Sequence, residues 1–261
     1  MDAPGDRHEV VIIGAGMAGL AAADELVRRG RSVRIIEAGP AAGGLARAIR
    51  VGGEPIEAYY HHIFPQDVET HALLERLGLK DRLEWHFGSM AILHGGTVFP
   101  FDSPLDLLRF RPLGLPSRVR AGLALATQLV RRDRRTMDRR SAAAEATRWF
   151  GATAYDLLWR PLLVAKFGSE LHDRVAMAWL VARIRQRAGA RRPGGDSLGY
   201  LRGSLGALVE AFVQSIESTG VVIETATRVT ALTRNETGWT IAVEGPDGPR
   251  TIEASSVIAA T

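Results

Sequence analysis

Apolar residues follow two rhythms along this 261-residue chain. Residues 9–13 (EVVII) form an unbroken apolar run that ends in glycine, which predicts a short central strand of a parallel sheet. Residues 17–29 change to helical spacing and close on Gly30, a glycine just past a helix end. Residues 32–37 (SVRIIE) return to strand, so 9–37 predicts one β-α-β unit. Residues 40–60 predict a loop with room for a strand. Residues 67–78 predict a helix with Leu73, Leu74 and Leu77 on one face and Gly78 as its stop. From 102 to 190 the pattern is mostly helical, over 104–110, 117–134, 141–150, 153–164 and 174–188. The polar, glycine-rich stretch 189–199 then predicts a boundary. A helix over 204–218 follows, with Ser204 as N-cap and Gly220 beyond its end. Strands are expected at 221–224, 228–233, 238–244, 250–253 and 256–260, with turns at Asn235–Gly238 and Gly245–Gly248.

Composition narrows the choices. With 46% hydrophobic and 24% charged residues the chain can bury a sizeable core. It has no cysteine, which excludes disulfides, thiolate zinc sites and cysteine nucleophiles and fits a reducing, cytoplasmic setting. The N-terminus lacks the basic and apolar regions of a signal peptide, and no apolar stretch is long enough to span a membrane. The net charge of +4 is unevenly placed: residues 91–195 carry +11 and the remainder −7. Such a change of sign predicts a separate module in the middle. His71, His86, His94 and His172 lack metal-ligand spacing, and no G-x-S-x-G is present, so neither a metal centre nor a serine nucleophile elbow is expected.

The strongest chemical signal is VVIIGAGMAGL, in which Gly14, Gly16 and Gly19 form G-x-G-x-x-G between a strand and a helix. Gly14 permits the tight turn, Gly16 lets a diphosphate touch the backbone, and Gly19 lets helix and sheet approach. The helix opening at Met17, Ala18 and Gly19 offers N–H donors and a positive dipole end to phosphates. Glu37, followed by Ala38, ends the second strand 18 residues after Gly19, where a carboxylate accepts from a ribose diol and repels a 2′-phosphate. This favours FAD or NAD over NADP. Gly43 and Gly44 add a second close backbone approach six residues past the acid.

The segment GAGMAGLAAADEL…VRIIEAGPAAGGLA resembles the flavin-containing amine oxidase and protoporphyrinogen oxidase superfamily, which includes phytoene desaturases and UDP-galactopyranose mutases. The resemblance implies FAD at Gly14, Gly16, Met17, Ala18, Gly19, Glu37, Ala38, Gly43 and Gly44. Leu45 is counted with them although the family usually has Arg or Lys there; Arg47 lies close by. The later stretch GSLGALVEAFVQSIESTGVVIETATRVTAL is similar to the family's return to its FAD domain, which implies that Val229 touches the adenine. The implied fold class is α/β, a Rossmann-type FAD-binding domain with a β-meander, interrupted by a mostly helical substrate or cap module. The divisions fall at 1–84, 85–195 and 196–261. Family members run further, to a Gly-Asp segment facing the flavin, so a truncated chain is expected.

Near the flavin, EAYYHHIF (57–64) supplies two tyrosines and two histidines. Its His62-Ile63-Phe64 looks like the His-Ile-Phe stretch of UDP-galactopyranose mutases, which makes His62 a catalytic candidate, with His61 pointing the other way. Lys166, the middle module's lysine, is a second candidate, weighed against an ordinary surface lysine. The module's charge suggests an anionic small-molecule substrate. It also suggests a peripheral membrane contact through an apolar stripe on 117–134 (Val119, Leu123, Ala126, Val130) flanked by arginines. The preferred reading of that stripe is a helix packed into the core. Nucleic acid is not expected as a partner, because the bases lack interleaved aromatics. Three functions follow: hydride transfer from a C–N or C–C bond to FAD, a flavin-dependent sugar-nucleotide mutase, or an inactive or split fragment holding only the ADP part of FAD.

Overall fold

A computed structural model describes residues 7–130, 134–192 and 195–261. The chain starts with β1 (Arg7–Ile13), α1 (Met17–Arg28) and β2 (Val33–Ile36), followed by the hairpin β3 (Ala48–Val51) and β4 (Glu54–Glu57). Next come α2 (Val68–Arg76), β5 (Leu83–Gly88), β6 (Ala91–His94) and β7 (Thr97–Pro100). A helical run holds α3 (Pro104–Arg109), α4 (Leu115–Val130), α5 (Arg134–Asp138), α6 (Ala142–Phe150), α7 (Ala152–Ala154), a π turn (Tyr155–Trp159), α8 (Arg160–Phe167) and α9 (Met177–Ala190). The chain closes with β8 (Arg191–Arg192), β9 (Gly195–Leu201), α10 (Ser204–Glu217), β10 (Val222–Glu224), β11 (Arg228–Asn235), β12 (Gly238–Gly245) and β13 (Gly248–Ala259). These elements fall into two units, one of Met1–Ile63, Val68–Glu84 and Tyr200–Thr261, the other of Phe64–Asp67 and Trp85–Gly199.

The first unit is built on a six-stranded sheet of order β10-β2-β1-β13-β12-β11. Strands β10, β2, β1 and β13 run parallel, and β12 and β11 add antiparallel. Alternation along β1 supplies both faces. Val10 and Ile12 pack with Leu20 of α1 and with Val209, Phe212 and Ile216 of α10, while Val11 packs on the other side with Ile36, Ile241 and Ile252. That double burial is why EVVII reads as a continuous apolar run. Strand β13 is one twelve-residue strand rather than the two expected at 250–253 and 256–260. Its first half pairs with β12 and its second half with β1. The polar Ser255-Ser256 interrupts the apolar pattern, but no turn residue stands there, so the strand continues while its partner changes. At α10 the preceding residue, Gly203, is the N-cap, and Ser204 adopts φ 65° with its hydroxyl accepting from Gly206 N–H at 3.0 Å.

In the second unit α3, α4, α6 and α9 enclose a core of Leu107, Phe110, Leu113, Phe150, Met177 and Leu180. Ser103 and Asp106 form a reciprocal capping box on α3, and Ser141 caps α6. The helix expected over 153–164 is instead interrupted by the π turn, which hands over to α8 where Pro161 has no N–H to give. The helix expected over 117–134 ends at Val130; its residues 131–133 lie outside the described residues, and α5 begins at Arg134. Its predicted core stripe is also turned around: Val119, Leu123, Ala126 and Val130 are exposed, and Ala121, Ala124 and Gln128 are buried. The expected break at 189–199 holds the end of α9, β8 and most of β9, and its residues 193 and 194 lie outside the described residues. Strand β9 buries Asp196 against the guanidinium groups of Arg187 and Arg191, 2.9 and 3.3 Å away. A strand that buries a charged side chain shows no apolar alternation.

Candidate functional site

The end of β1 turns into α1 through Gly14, Ala15 and Gly16. Gly14 has φ +103°, and its N–H donates to the Ile36 carbonyl at 2.8 Å, which fixes the turn against the end of β2. A Cβ on Gly14 would stand 2.7 Å from the Ala260 carbonyl oxygen, and one on Gly19 only 1.9 Å from the Gly14 carbonyl oxygen. The fold itself therefore forbids side chains at these two positions. Gly16 differs. Its backbone is ordinary extended (φ −72°, ψ 177°), and a Cβ there would meet only the Gly44 Cα, at 4.0 Å. The protein leaves room for a side chain at Gly16.

Three features converge on that point. Helix α1 has no side-chain cap and no acid in its first turn, and its first internal bond runs from Leu20 N–H to the Gly16 carbonyl at 2.9 Å. The N–H groups of Met17, Ala18 and Gly19 thus precede the helix's own ladder and form its positive end. The second glycine loop lies directly on the first: Gly43 N–H donates to the Ala15 carbonyl at 2.8 Å, and Gly16 and Gly43 form a parallel bridge. Gly44 packs so closely that a Cβ on it would be 3.1 Å from the Gly16 Cα. The Glu37 carboxylate reaches the same loop. It accepts from Ala15 N–H at 2.7 Å through Oε2 and from Gly39 N–H at 2.6 Å through Oε1.

The acid loop is tied in turn to the strand that carries Val229. Ala226 N–H donates to the Gly39 carbonyl at 2.7 Å and Thr227 N–H to the Glu37 carbonyl at 2.9 Å. Thr227 is buried, and Val229, two residues on, packs beside the cluster of Val11, Ile36, Ile241 and Ile252 at a β-bulge. Gly14, Gly16, Met17, Ala18, Gly19, Glu37, Ala38, Gly43 and Gly44 are therefore gathered at the carboxyl ends of β1 and β2, and Val229 follows on from the segment bonded to the acid. In an open α/β sheet that is where nucleotides bind. Ala38 and Leu45 are exposed. The Arg47 guanidinium stacks over the Tyr59 ring at 5.5 Å.

His62 is half-buried in the first unit. Its ring meets Tyr60 edge-on at 5.2 Å and lies 6.4 Å from the ring of Tyr200. Neighbouring His61 is exposed and keeps Nδ1 on the Tyr59 carbonyl at 3.1 Å. Burial pushes the Tyr200 hydroxyl above the ordinary tyrosine range, and Tyr60, hydrogen-bonded to it, and Glu57 add to that shift. Sequence reasoning overlooked Tyr200, and Tyr60 drew notice only as a member of the run 57–64. Tyr200 directly follows the stretch 189–199 where a boundary was expected, and β9, which buries the charged Asp196, carries no apolar alternation that would have signalled it. Lys166 is exposed on α8, in the other unit. Among the described residues no group of three or more His, Asp or Glu could hold a metal ion, and no helix is long and apolar enough to cross a membrane.

Comparison with known proteins matches residues 17–261 to the family model for flavin containing amine oxidoreductase. Putrescine oxidase of Kocuria rosea is 35% identical over 102 residues, 36% of this chain and 21% of that protein. Hydroxyneurosporene desaturase of Rubrivivax gelatinosus is 34% identical over 97 residues, 33% of this chain and 18% of that protein. A crystal structure of reduced UDP-galactopyranose mutase superposes with a TM-score of 0.65 at 20% identity, over 97% of this chain and 55% of that one. The matched stretches thus span about a fifth of the curated relatives, and the chain spans just over half of the solved structure.

Proposed function

This chain belongs to the flavin containing amine oxidoreductase family, and we propose that it binds FAD at the two glycine loops and serves hydride transfer from a C–N or C–C bond of a small molecule. FAD is the family's cofactor, and the residues present fit it. A carboxylate at Glu37 suits a ribose diol, the open first turn of α1 suits a diphosphate, and Gly16 is a glycine that the fold does not itself require. This last point is the observation that carries the reading. When bound, the flavin supplies a two-electron acceptor for the substrate's hydride.

The chain's own residues do the holding. The amides of Met17, Ala18 and Gly19 neutralise diphosphate charge at a helix end, and Gly43 and Gly44 press the second loop against the first. Glu37 fixes the ribose, and Val229 lines the adenine side. His62, with Tyr60 and Tyr200 around it, orients the substrate end of the site. Lys166, exposed on its helix, has no part in this reading.

The family match favours a redox reaction over sugar-nucleotide rearrangement, since the two relatives described above are each named for an oxidation. The charge of +11 on residues 91–195 favours an amine or polyene that carries an acidic group over a bare diamine. The test is anaerobic. Purified chain is titrated with FAD, and the visible flavin band is followed on adding putrescine, a carboxylate-bearing amine, a polyene acid or a nucleotide sugar. Bleaching by an acidic amine or polyene is expected. Protein that stays colourless with FAD overturns the cofactor assignment, and turnover of the nucleotide sugar by pre-reduced protein overturns the redox reading.

A further inference from the structure

Helix α4 and the end of α6 border a hollow of about 820 Å³ in the second unit. That volume falls within the range of small-molecule sites, roughly 300–1,000 Å³. The walls are mostly apolar: Leu115, Val119, Leu123 and Ala124 line the hollow from α4, and Trp149 from α6. Leu115, Val119 and Leu123 are 61%, 47% and 65% exposed, at spacings of four that set them along one side of the helix. Single exposed leucines are ordinary, but a row of apolar side chains along one hollow leaves surface for a ligand to cover.

Arg120, which also lines the hollow, says what kind of ligand. Its Nε donates to the Trp149 carbonyl at 3.0 Å and its Nη2 to the Arg148 carbonyl at 2.6 Å, both in the last turn of α6. A helix end carries about half a negative charge, so the guanidinium keeps a positive surplus, and it has N–H donors beyond the two already used. No acid competes for it: α4 carries none, and none lines the hollow among the described residues. Glu145, one turn before Trp149 on α6, pairs with Arg140 at 3.2 Å. Because the two carbonyls already fix the guanidinium, little side-chain freedom is left to lose when an anion arrives. Its fork suits a carboxylate. From Arg120 to Thr127, another lining residue, α4 rises about 10 Å, which gives an apolar tail a wall to lie along. We propose that the hollow binds an apolar monocarboxylate, with its acid group on Arg120 and its tail against Leu123, Ala124 and Trp149. This does not depend on the reading of the glycine loops.

Isothermal titration of the full chain with decanoate tests it, with 1-decanol as the uncharged probe of the same length. Saturable binding of one decanoate per chain is expected, roughly tenfold or more tighter than 1-decanol, the scale of one charge-assisted hydrogen bond. Arg120→Gln should bring decanoate down to the level of 1-decanol, and Arg120→Lys should keep part of the preference for the acid. Arg120 also caps α6, so circular dichroism melts accompany both variants. Leu123 is exposed, so Leu123→Gln should leave the melt unchanged while weakening both probes by roughly fourfold, as the loss of one buried methylene does. Three results would overturn the proposal: no saturable binding of decanoate, equal affinity for decanoate and 1-decanol, or decanoate binding that neither Arg120→Gln nor Leu123→Gln weakens.

Discussion

Alanine at three glycines of one loop separates what the fold requires from what the cofactor requires. At Gly14 the methyl would meet the Ala260 carbonyl oxygen at 2.7 Å on a backbone with φ +103°. Strained backbone and overpacking together cost about 2–6 kcal/mol. At Gly19 the methyl would stand 1.9 Å from the Gly14 carbonyl oxygen, so α1 must back away from the loop, at about 1–3 kcal/mol. At Gly16 the backbone is ordinary and the nearest atom is 4.0 Å away, so Gly16→Ala changes stability by less than about 1 kcal/mol and favours folding by stiffening the unfolded chain. Its methyl would instead occupy the approach of the diphosphate and weaken FAD by about tenfold, or 1.4 kcal/mol. Thermal melts with and without FAD measure both quantities. With FAD at a hundredfold its dissociation constant, the unmodified chain gains about 2.7 kcal/mol and Gly16→Ala only about 1.4. Without FAD, Gly16→Ala melts with the unmodified chain, and Gly14→Ala and Gly19→Ala melt earlier. A Gly16→Ala chain that keeps the whole FAD-dependent gain, or that melts early in the absence of FAD, refutes the reasoning.

Glu37→Gln leaves one acceptor oxygen for the two amides of Ala15 and Gly39, so the FAD-free melt should reflect a loss of about 1.5–3 kcal/mol. The same variant should weaken FAD in a fluorescence titration while leaving the far-ultraviolet spectrum unchanged. Phe212→Ala empties a site that is 1% exposed between the sheet and α1, which should cost about 3–5 kcal/mol in a denaturant titration. Burial raises the hydroxyls of Tyr155 and Tyr200 above the ordinary range, so the folded chain keeps two protons that the unfolded chain loses near pH 10. Stability therefore falls as pH rises past about 10, and Tyr155→Phe/Tyr200→Phe should flatten that fall in melts taken from pH 8 to 11.

The nucleotide end was legible because its chemistry is local. Strand, turn, helix and acid all lie within residues 9–37, and each glycine reports a backbone constraint where it stands. What was not legible depended on residues distant in sequence or on side-chain size. Asp196 reads as a loop residue until Arg187 and Arg191 close on it. Tyr200 follows a stretch read as a boundary and draws no notice until the chain brings it back beside Tyr60 and His62. Helix α4 was turned around because its hydrophobic pattern counts apolar residues without weighing bulk. The face it packs inward carries Ala121 and Ala124, small enough for neighbouring helices to come close, which leaves Leu115, Val119, Leu123 and Val130 on the other side.

The pairing of the two glycine motifs shows the same limit from the opposite direction. Spacing along the chain can place Gly43 and Gly44 six residues after an acid, but a glycine pair in that position is equally a flexible loop. The geometry gives them a reason that only the fold supplies. Gly43 spends its N–H on the Ala15 carbonyl, and Gly44 lies so near the Gly16 Cα that any side chain there would push the loops apart. Gly43 is a glycine because its φ is +117° and a Cβ would meet Val209 at 3.2 Å and Arg47 at 3.3 Å, Gly44 is one on account of the first loop, and Gly16 leaves room for a side chain that nothing in the protein excludes. That contrast between Gly16 and the glycines the protein itself explains is what supports the proposed FAD site, and it is what the Gly16→Ala melts test.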